Sequence, residues 1–254
     1  MRYFIECSYN GKNYHGWQIQ NNAITVQEKF EKALTVLLKE KISVIGAGRT
    51  DTGVHAKFFT AHFDIESEIP ETEKLIFKLN RFLPSDIAVS NIFRVKDDLH
   101  ARFSAISRTY KYFINFKKNP FENETSYYIN YNLDFDKMNQ AAEKLFDYID
   151  FTSFSKLHTD TKTNNCEILF AKWHYDNLKA VFEIKADRFL RNMVRAIVGT
   201  LLEVGKNKIS IKEFCEIIES KSRSDAGFSV PAHALFLTDI KYPNDINLYK
   251  HIDS

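Results

Sequence analysis

The residues best able to do chemistry lie in Gly46-Ala-Gly-Arg-Thr-Asp-Thr-Gly-Val-His-Ala56. Three of the chain's eight glycines fall there within eight residues and bracket Arg49 and Asp51. A loop whose bare backbone lets a ligand approach closely while it presents one carboxylate between a guanidinium and a glycine is the physical reading; a plain tight turn would explain the glycines but not Arg, Thr, Asp and Thr packed between them. Nucleotide binding does not fit. The third glycine of a G-x-G-x-x-G fingerprint would be residue 51, which is Asp51, a strand-like run follows in place of a helix, and the phosphate-loop lysine is missing. Asp51 has no second carboxylate nearby in sequence, against the paired-acid scheme of glycoside hydrolysis. His55 and His62 could join Asp51 on a metal, but one Asp-x-x-x-His spacing does not make a site, and a strand histidine is more often structural. Two further groups stand out. Arg188, Arg191 and Arg195 follow one line at i, i+3, i+7, and Tyr110 and Tyr112 alternate with Lys111 in Arg108-Thr-Tyr-Lys-Tyr.

The elements that must position these groups can be read from periodicity. Arg2–Tyr9 reads as a strand, followed by an Asn10–Gly11 turn. Thr25 caps a helix whose apolar face is Val26, Phe30, Ala33, Leu34, Leu37 and Leu38. A strand over 58–65, a helix over Thr72–Phe82 stopped by Leu83–Pro84, and strands over 87–95 and 108–116 complete the first half. The second half offers a helix over Asp136–Tyr148 and a hairpin of Cys166–Tyr175 and Lys179–Ala186 around Asp176–Asn177. It continues with a helix from Phe189 to Val204, one over Ile211–Lys221 capped by Ser210, and a strand over Leu235–Lys241. Neighbouring strands often lack an intervening helix. An α+β fold of two units with antiparallel or mixed sheets is therefore expected, rather than a doubly wound one. The boundary falls within 100–145, giving an amino-terminal α/β domain at 1–105 and a carboxy-terminal one at 106–254.

Composition narrows the function classes. With 254 residues, 44% hydrophobic and 27% charged, the chain is an ordinary globular one, not disordered, collagenous or a coiled-coil rod. No apolar run approaches the roughly 18 residues of a membrane span. Three cysteines with no C-x-x-C pair suit a reducing cytoplasm and supply no zinc knuckle. The net charge of +2 is unevenly spread: residues 94–118 hold seven Lys or Arg against Asp97 and Asp98, whereas 64–73 hold five acids and no base. Phosphate neutralisation is local, so such a track suits a polyanion, although a solvated face would look the same. The 22 Phe, 12 Tyr and 2 Trp must mostly be core, with some available to stack on bases.

GAGRTDTGVHA resembles the active-site loop of the tRNA pseudouridine synthase A family, whose signature is an Arg, one residue, the catalytic Asp, one residue, Gly and Val. YHGWQIQ with TVQEKFEKAL, HARFSAISRTYKY, RFLRNMVRAIVG and VPAHALFL resemble further blocks of that family, in order, from residue 1 to about 241. The resemblance implies two ferredoxin-like units with their sheets joined around a central cleft. It implies a homodimer acting on uridines 38, 39 and 40 of the tRNA anticodon stem-loop. It also implies a role for each matching residue: Asp51 at the ribose, Arg195 as its ion-pair partner, Tyr110 stacked on the target uracil, Leu235 packed on the base's other side, and Arg49 drawing the nucleotide out of the stack. Ala234 stands where the family usually has Gly. Arg188, Arg191 and Lys111 are candidates for phosphate contacts, with plain solvation equally open for the two arginines.

The chemistry such a family performs breaks the ribose C1′ to uracil N1 bond and rejoins the base through C5. No atoms are gained and no electrons leave, so neither a cofactor nor a metal is required. What is needed is a carboxylate that attacks C1′ or takes a proton from C2′, the two routes staying open, and an extruded base. The rival from another class is a catalytically silent RNA-binding module, which would bind tRNA and change no uridine.

Overall fold

The computed structural model describes residues 1–156, 163–243 and 246; the end of the expected 106–254 domain lies partly outside them. The fold is mixed α/β with mainly antiparallel strands. It divides into two compact units: Met1–Ser107 together with the chain from Leu237, and Arg108–Phe236. The chain passes from the first unit to the second at Ser107–Arg108 and returns to the first at Leu237.

In the first unit β1 (Arg2–Tyr9) is central, antiparallel to β3 (His55–Asp64) on one side and to β4 (Ile87–Val95) on the other. The register pairs Phe4 with His62 and Phe93, so a face alternates as a pleated strand requires. β2 (Val44–Gly46) adds to β3 opposite Phe63–Ala61; its three residues were too few to read from sequence. α1 (Val26–Leu38) starts where Thr25 accepts from the Glu28 N–H, and it buries Val26, Phe30, Ala33 and Leu34. Leu37 and Leu38 are only half-buried. α2 (Thr72–Phe82) occupies the expected span, ending where Leu83 precedes Pro84. Its Asn80 both donates to Val89 O and accepts from Val89 N, closing the open side of edge strand β4.

In the second unit β5 (Ser107–Asn115) pairs antiparallel with β8 (Lys179–Ala186), and β8 with β7 (Ile168–Tyr175). The turn between β7 and β8 is tied by Asp176, whose Oδ1 accepts from Leu178 N and Lys179 N. β6 (Tyr127–Tyr128) makes the parallel pair with β5. Asn139 of α3 (Phe135–Glu143) repeats the Asn80 device on Trp173 of edge strand β7. α5 (Ile211–Glu219) opens on a complete capping box between Ser210 and Glu213, and β9 (Leu235–Lys241) begins at the end of this unit and continues into the first.

Two expected elements are corrected. The helix expected over Asp136–Tyr148 ends at Glu143 and gives way to a 3-10 turn over Lys144–Asp147. α4 spans Met193–Gly205, not Phe189 onward, because Asn192 adopts a left-handed conformation with φ of 68° and cannot continue a right-handed helix. The apolar side of α4 is buried within the one chain. No helix among the described residues is long and apolar enough to cross a membrane.

Candidate active site

Asp51 heads a tight turn. Val54 N donates to Asp51 O at 3.1 Å, and Gly53 sits at the turn position where φ must be positive, at 79°. Asp51 is half-buried and Arg49 exposed. Thr50, between them, is buried, and its hydroxyl meets the Tyr9 hydroxyl at 3.0 Å. Behind the loop runs the segment Asn10–Trp17. Gly11 N donates to His55 Nδ1 at 3.0 Å, and Gly53 N donates to Tyr14 O at 3.3 Å. Gly16, at φ 87°, presses so closely on Thr50 that a Cβ there would stand 2.2 Å from the Thr50 carbonyl oxygen. Trp17 anchors this segment by stacking on Phe59 of β3 at 4.1 Å, with Tyr9 and Phe30 completing the aromatic cluster. The Asn10–Gly11 pair, expected as a plain turn, opens a short 3-10 turn over Gly11–Asn13, with Asn10 as its cap.

The two histidines weighed as metal ligands serve the backbone instead: His55 Nδ1 takes the Gly11 N–H, and His62 Nδ1 takes that of Ala101 at 3.1 Å. Burial, aided by the nearby Arg2 and His100 charges, lowers the His62 pKa to about 4, so its imidazole is neutral at pH 7. Among the described residues no group of three or more His, Cys, Asp or Glu is placed to hold a metal ion.

The second unit carries the remaining candidates. Tyr110 and Tyr112 share one face of β5, and the Tyr110 ring meets Phe189 edge-on at 5.1 Å. Tyr112 is fully buried, donating its hydroxyl to Pro231 O at 3.1 Å. Lys111 points to the opposite face and pairs with Glu183 at 3.0 Å. Arg195 lies in the first turn of α4. Its Nε donates to Val230 O at 2.7 Å, which fixes the plane of the guanidinium. Arg188 and Arg191 do not continue that line along a helix, for they precede Asn192 in a non-helical stretch. Arg188 N caps onto Asp187 Oδ1 at 2.6 Å, and Arg191 is exposed. Leu235 is buried, following a 3-10 turn over Ala232–Ala234. Ala234, where the family pattern usually has Gly, is not among the residues with positive φ, so its methyl costs no backbone strain.

Several positioning groups carried no sequence signal. Ser229 accepts from both Asn192 Nδ2 at 2.7 Å and Arg223 Nη2 at 2.8 Å, tying the approach to α4 against the Val230 segment that holds Arg195. Gly227 N donates to Thr200 Oγ1 at 2.9 Å and secures the same segment from the middle of α4. Only the scarcity of glycine could have pointed to Gly11 and Gly16.

The sequence profile of the tRNA pseudouridine synthase family matches residues 7–104 and 141–243, which take in the Asp51 loop, α4 and the Val230–Leu235 segment. The chain belongs to the tRNA pseudouridine synthase family. Curated relatives extend the match along nearly the whole length. A tRNA pseudouridine synthase A of Parabacteroides distasonis is 57% identical over 245 residues, covering 96% of this chain and 97% of its own. One of Bacteroides fragilis is 57% identical over 246 residues, covering 96% and 98%. One of Azobacteroides pseudotrichonymphae is 56% identical over 243 residues, covering 96% and 97%.

Proposed function

We propose that this chain isomerises uridine to pseudouridine in tRNA, at positions 38, 39 and 40 of the anticodon stem-loop, in the cytoplasm and as a homodimer. The observation that carries the activity is the family match over both units, joined to a loop that presents Asp51 on a rigid turn. Asp51 acts at the ribose. By the nucleophilic route its carboxylate attacks C1′ as the C1′–N1 electron pair leaves with uracil. After rotation C5 attacks C1′ and displaces the carboxylate, the C5 proton departs and N1 gains one. By the other route Asp51 takes the C2′ proton as the C1′–N1 electron pair leaves with uracil, giving a C1′=C2′ double bond; after rotation C5 bonds to C1′, Asp51 returns the proton to C2′, the C5 proton departs and N1 gains one. Either way the product is an isomer, and no cofactor or metal enters.

Arg195 is the proposed ion-pair partner of Asp51, keeping it ionised, with Tyr110 stacked on the uracil, Leu235 packed on its other face and Arg49 aiding extrusion. Lys111, Arg188 and Arg191 are proposed phosphate contacts. The element order β1-α1-β2-β3-α2-β4 supports reading the first unit as ferredoxin-like, and β5-α3-β7-β8-α4 followed by the first two residues of β9 supports the same reading of the second. The test is release of tritium from C5-labelled uridine in tRNA: wild type releases it, and Asp51→Asn does not. Equal release by both proteins eliminates the assignment, and tRNA binding with no release by wild type favours a silent RNA-binding module.

A further inference from the structure

A second carboxylate, outside the loop, converges on the segment that backs it. Asp86 lies in the turn before β4, and it receives Tyr14 Oη on Oδ1 at 2.5 Å and Asn13 Nδ2 on Oδ2 at 3.1 Å. Its main-chain oxygen accepts from Asn10 N at 2.9 Å. One residue thus grips the segment Asn10–Tyr14 at three points. The other side of that segment bears on the Asp51 loop, through Gly53 N to Tyr14 O, Gly11 N to His55 Nδ1, and the Gly16 backbone against Thr50 O. The backbone at Thr50 and at Gly53, on either side of Asp51, thus bears on the segment that Asp86 grips.

We propose that Asp86 is a positioning residue for Asp51, acting through Tyr14 and the Asn10–Gly16 segment. The β4 end of its turn does not need the Asp86 side chain. Ile87 N already donates to Pro84 O, and Asn80 already closes the edge at Val89. Tyr14 is buried, and both burial and the Asp86 bond raise its pKa above the ordinary phenol range, so it remains a donor throughout the working pH range. Asp86 itself is held by two side-chain donors and serves as an acceptor, not as an acid in the reaction.

The inference rests on the proposed isomerase activity, and the experiment separates the two. Tritium release from C5-labelled tRNA is measured as kcat and KM for wild type, Asp86→Ala, Asp86→Asn, Tyr14→Phe and Asp51→Asn, alongside hydrogen exchange of the Gly53 amide. Asp86→Ala and Tyr14→Phe lower kcat by about 10- to 100-fold, the loss expected of a catalytic group displaced by up to an ångström. KM for tRNA stays within about threefold, because binding contacts are untouched. Gly53 exchange accelerates in both variants while amides of β1 keep their protection. Asp86→Asn retains most of the activity, because its amide oxygen still accepts from Tyr14 and the Asn13 amide turns over to meet its nitrogen. Tyr14→Phe removes a single hydroxyl and keeps the ring, so it reports even if Asp86→Ala fails to fold. Wild-type kcat and Gly53 exchange in Tyr14→Phe overturn the proposal, as does an Asp86→Asn protein as inactive as Asp51→Asn. If wild type releases no tritium the isomerase reading fails, and Gly53 exchange still decides whether Asp86 holds the loop.

Discussion

Replacing Gly16 with alanine tests the seating of the Asp51 loop at its tightest point. The residue has φ 87°, where a side chain costs about 1–3 kcal/mol of backbone strain. The added Cβ would also stand 2.2 Å from Thr50 O and 3.4 Å from the Asp51 carbonyl carbon. The oxygen must retreat by about 1 Å to reach an ordinary contact. It is main-chain, so no rotamer change relieves the clash. A strain of about 2 kcal/mol lowers Tm by roughly 4–8 °C in a chain of this size. A shift of about 1 Å next to the carboxylate proposed to react costs on the order of 100-fold in kcat, equivalent to about 2.7 kcal/mol of activation free energy. KM for tRNA changes little, since the loss falls on the transition state. Thermal unfolding and tritium release on the same preparation read both effects. Gly48→Ala is the stability control: nothing lies within 4 Å of its added Cβ and its φ is not positive, so Tm holds or rises slightly. A Gly16→Ala protein with Tm within about 1 °C of wild type and undiminished kcat would show that the close approach to Thr50 does not seat the loop.

Two more expectations follow from the same geometry. If Arg195 pairs with Asp51 as proposed, Arg195→Lys lowers kcat by tenfold or more, because an ammonium lacks the planar fork whose Nε holds Val230 O; tritium release within threefold of wild type would contradict the proposed pairing. The neutral, buried His62 makes stability fall with acidification. Its folded pKa of about 4 lies below the unfolded value of about 6.5, so its contribution is complete above about 6.5 and is lost as pH falls toward 4, amounting to about 2 kcal/mol between pH 7 and 5. The neighbouring Arg2 and His100 reinforce this depression and Asp64 opposes it. His62→Asn keeps an acceptor for Ala101 N without the titration, so urea unfolding of the variant shows a flatter dependence over that window. Parallel slopes would exclude the assignment.

Where local sequence contains its own instructions, elements were legible to within a residue or two. α2 runs from Thr72 to Phe82 because an apolar stripe at helical spacing meets Leu83–Pro84, and Thr25 and Ser210 announce their helices because a hydroxyl cap is a short-range signal. The candidate carboxylate was legible for the same reason: glycines clustered around Arg49 and Asp51 within one loop. α4 was misread at its start because Phe189 and Leu190 extend its apolar stripe. What ends the helix there is Asn192, held left-handed with its side chain on Ser229, 37 residues away. β2 and β6, of three and two residues, exist only through the partners they pair with.

The amino-acid sequence by itself determined which groups could react and which segments would be helix or strand, since both depend on residue type and on spacing of a few positions. Only the tertiary structure decided what holds those groups still. Gly16 lies against Thr50, Asp86 on Tyr14 and Val230 on Arg195, each pair separated by more than 30 residues. Contacts at that separation leave no periodic trace. They form only when the chain packs, because a hydrogen bond or a close backbone approach is a property of position in space, not of order along the chain.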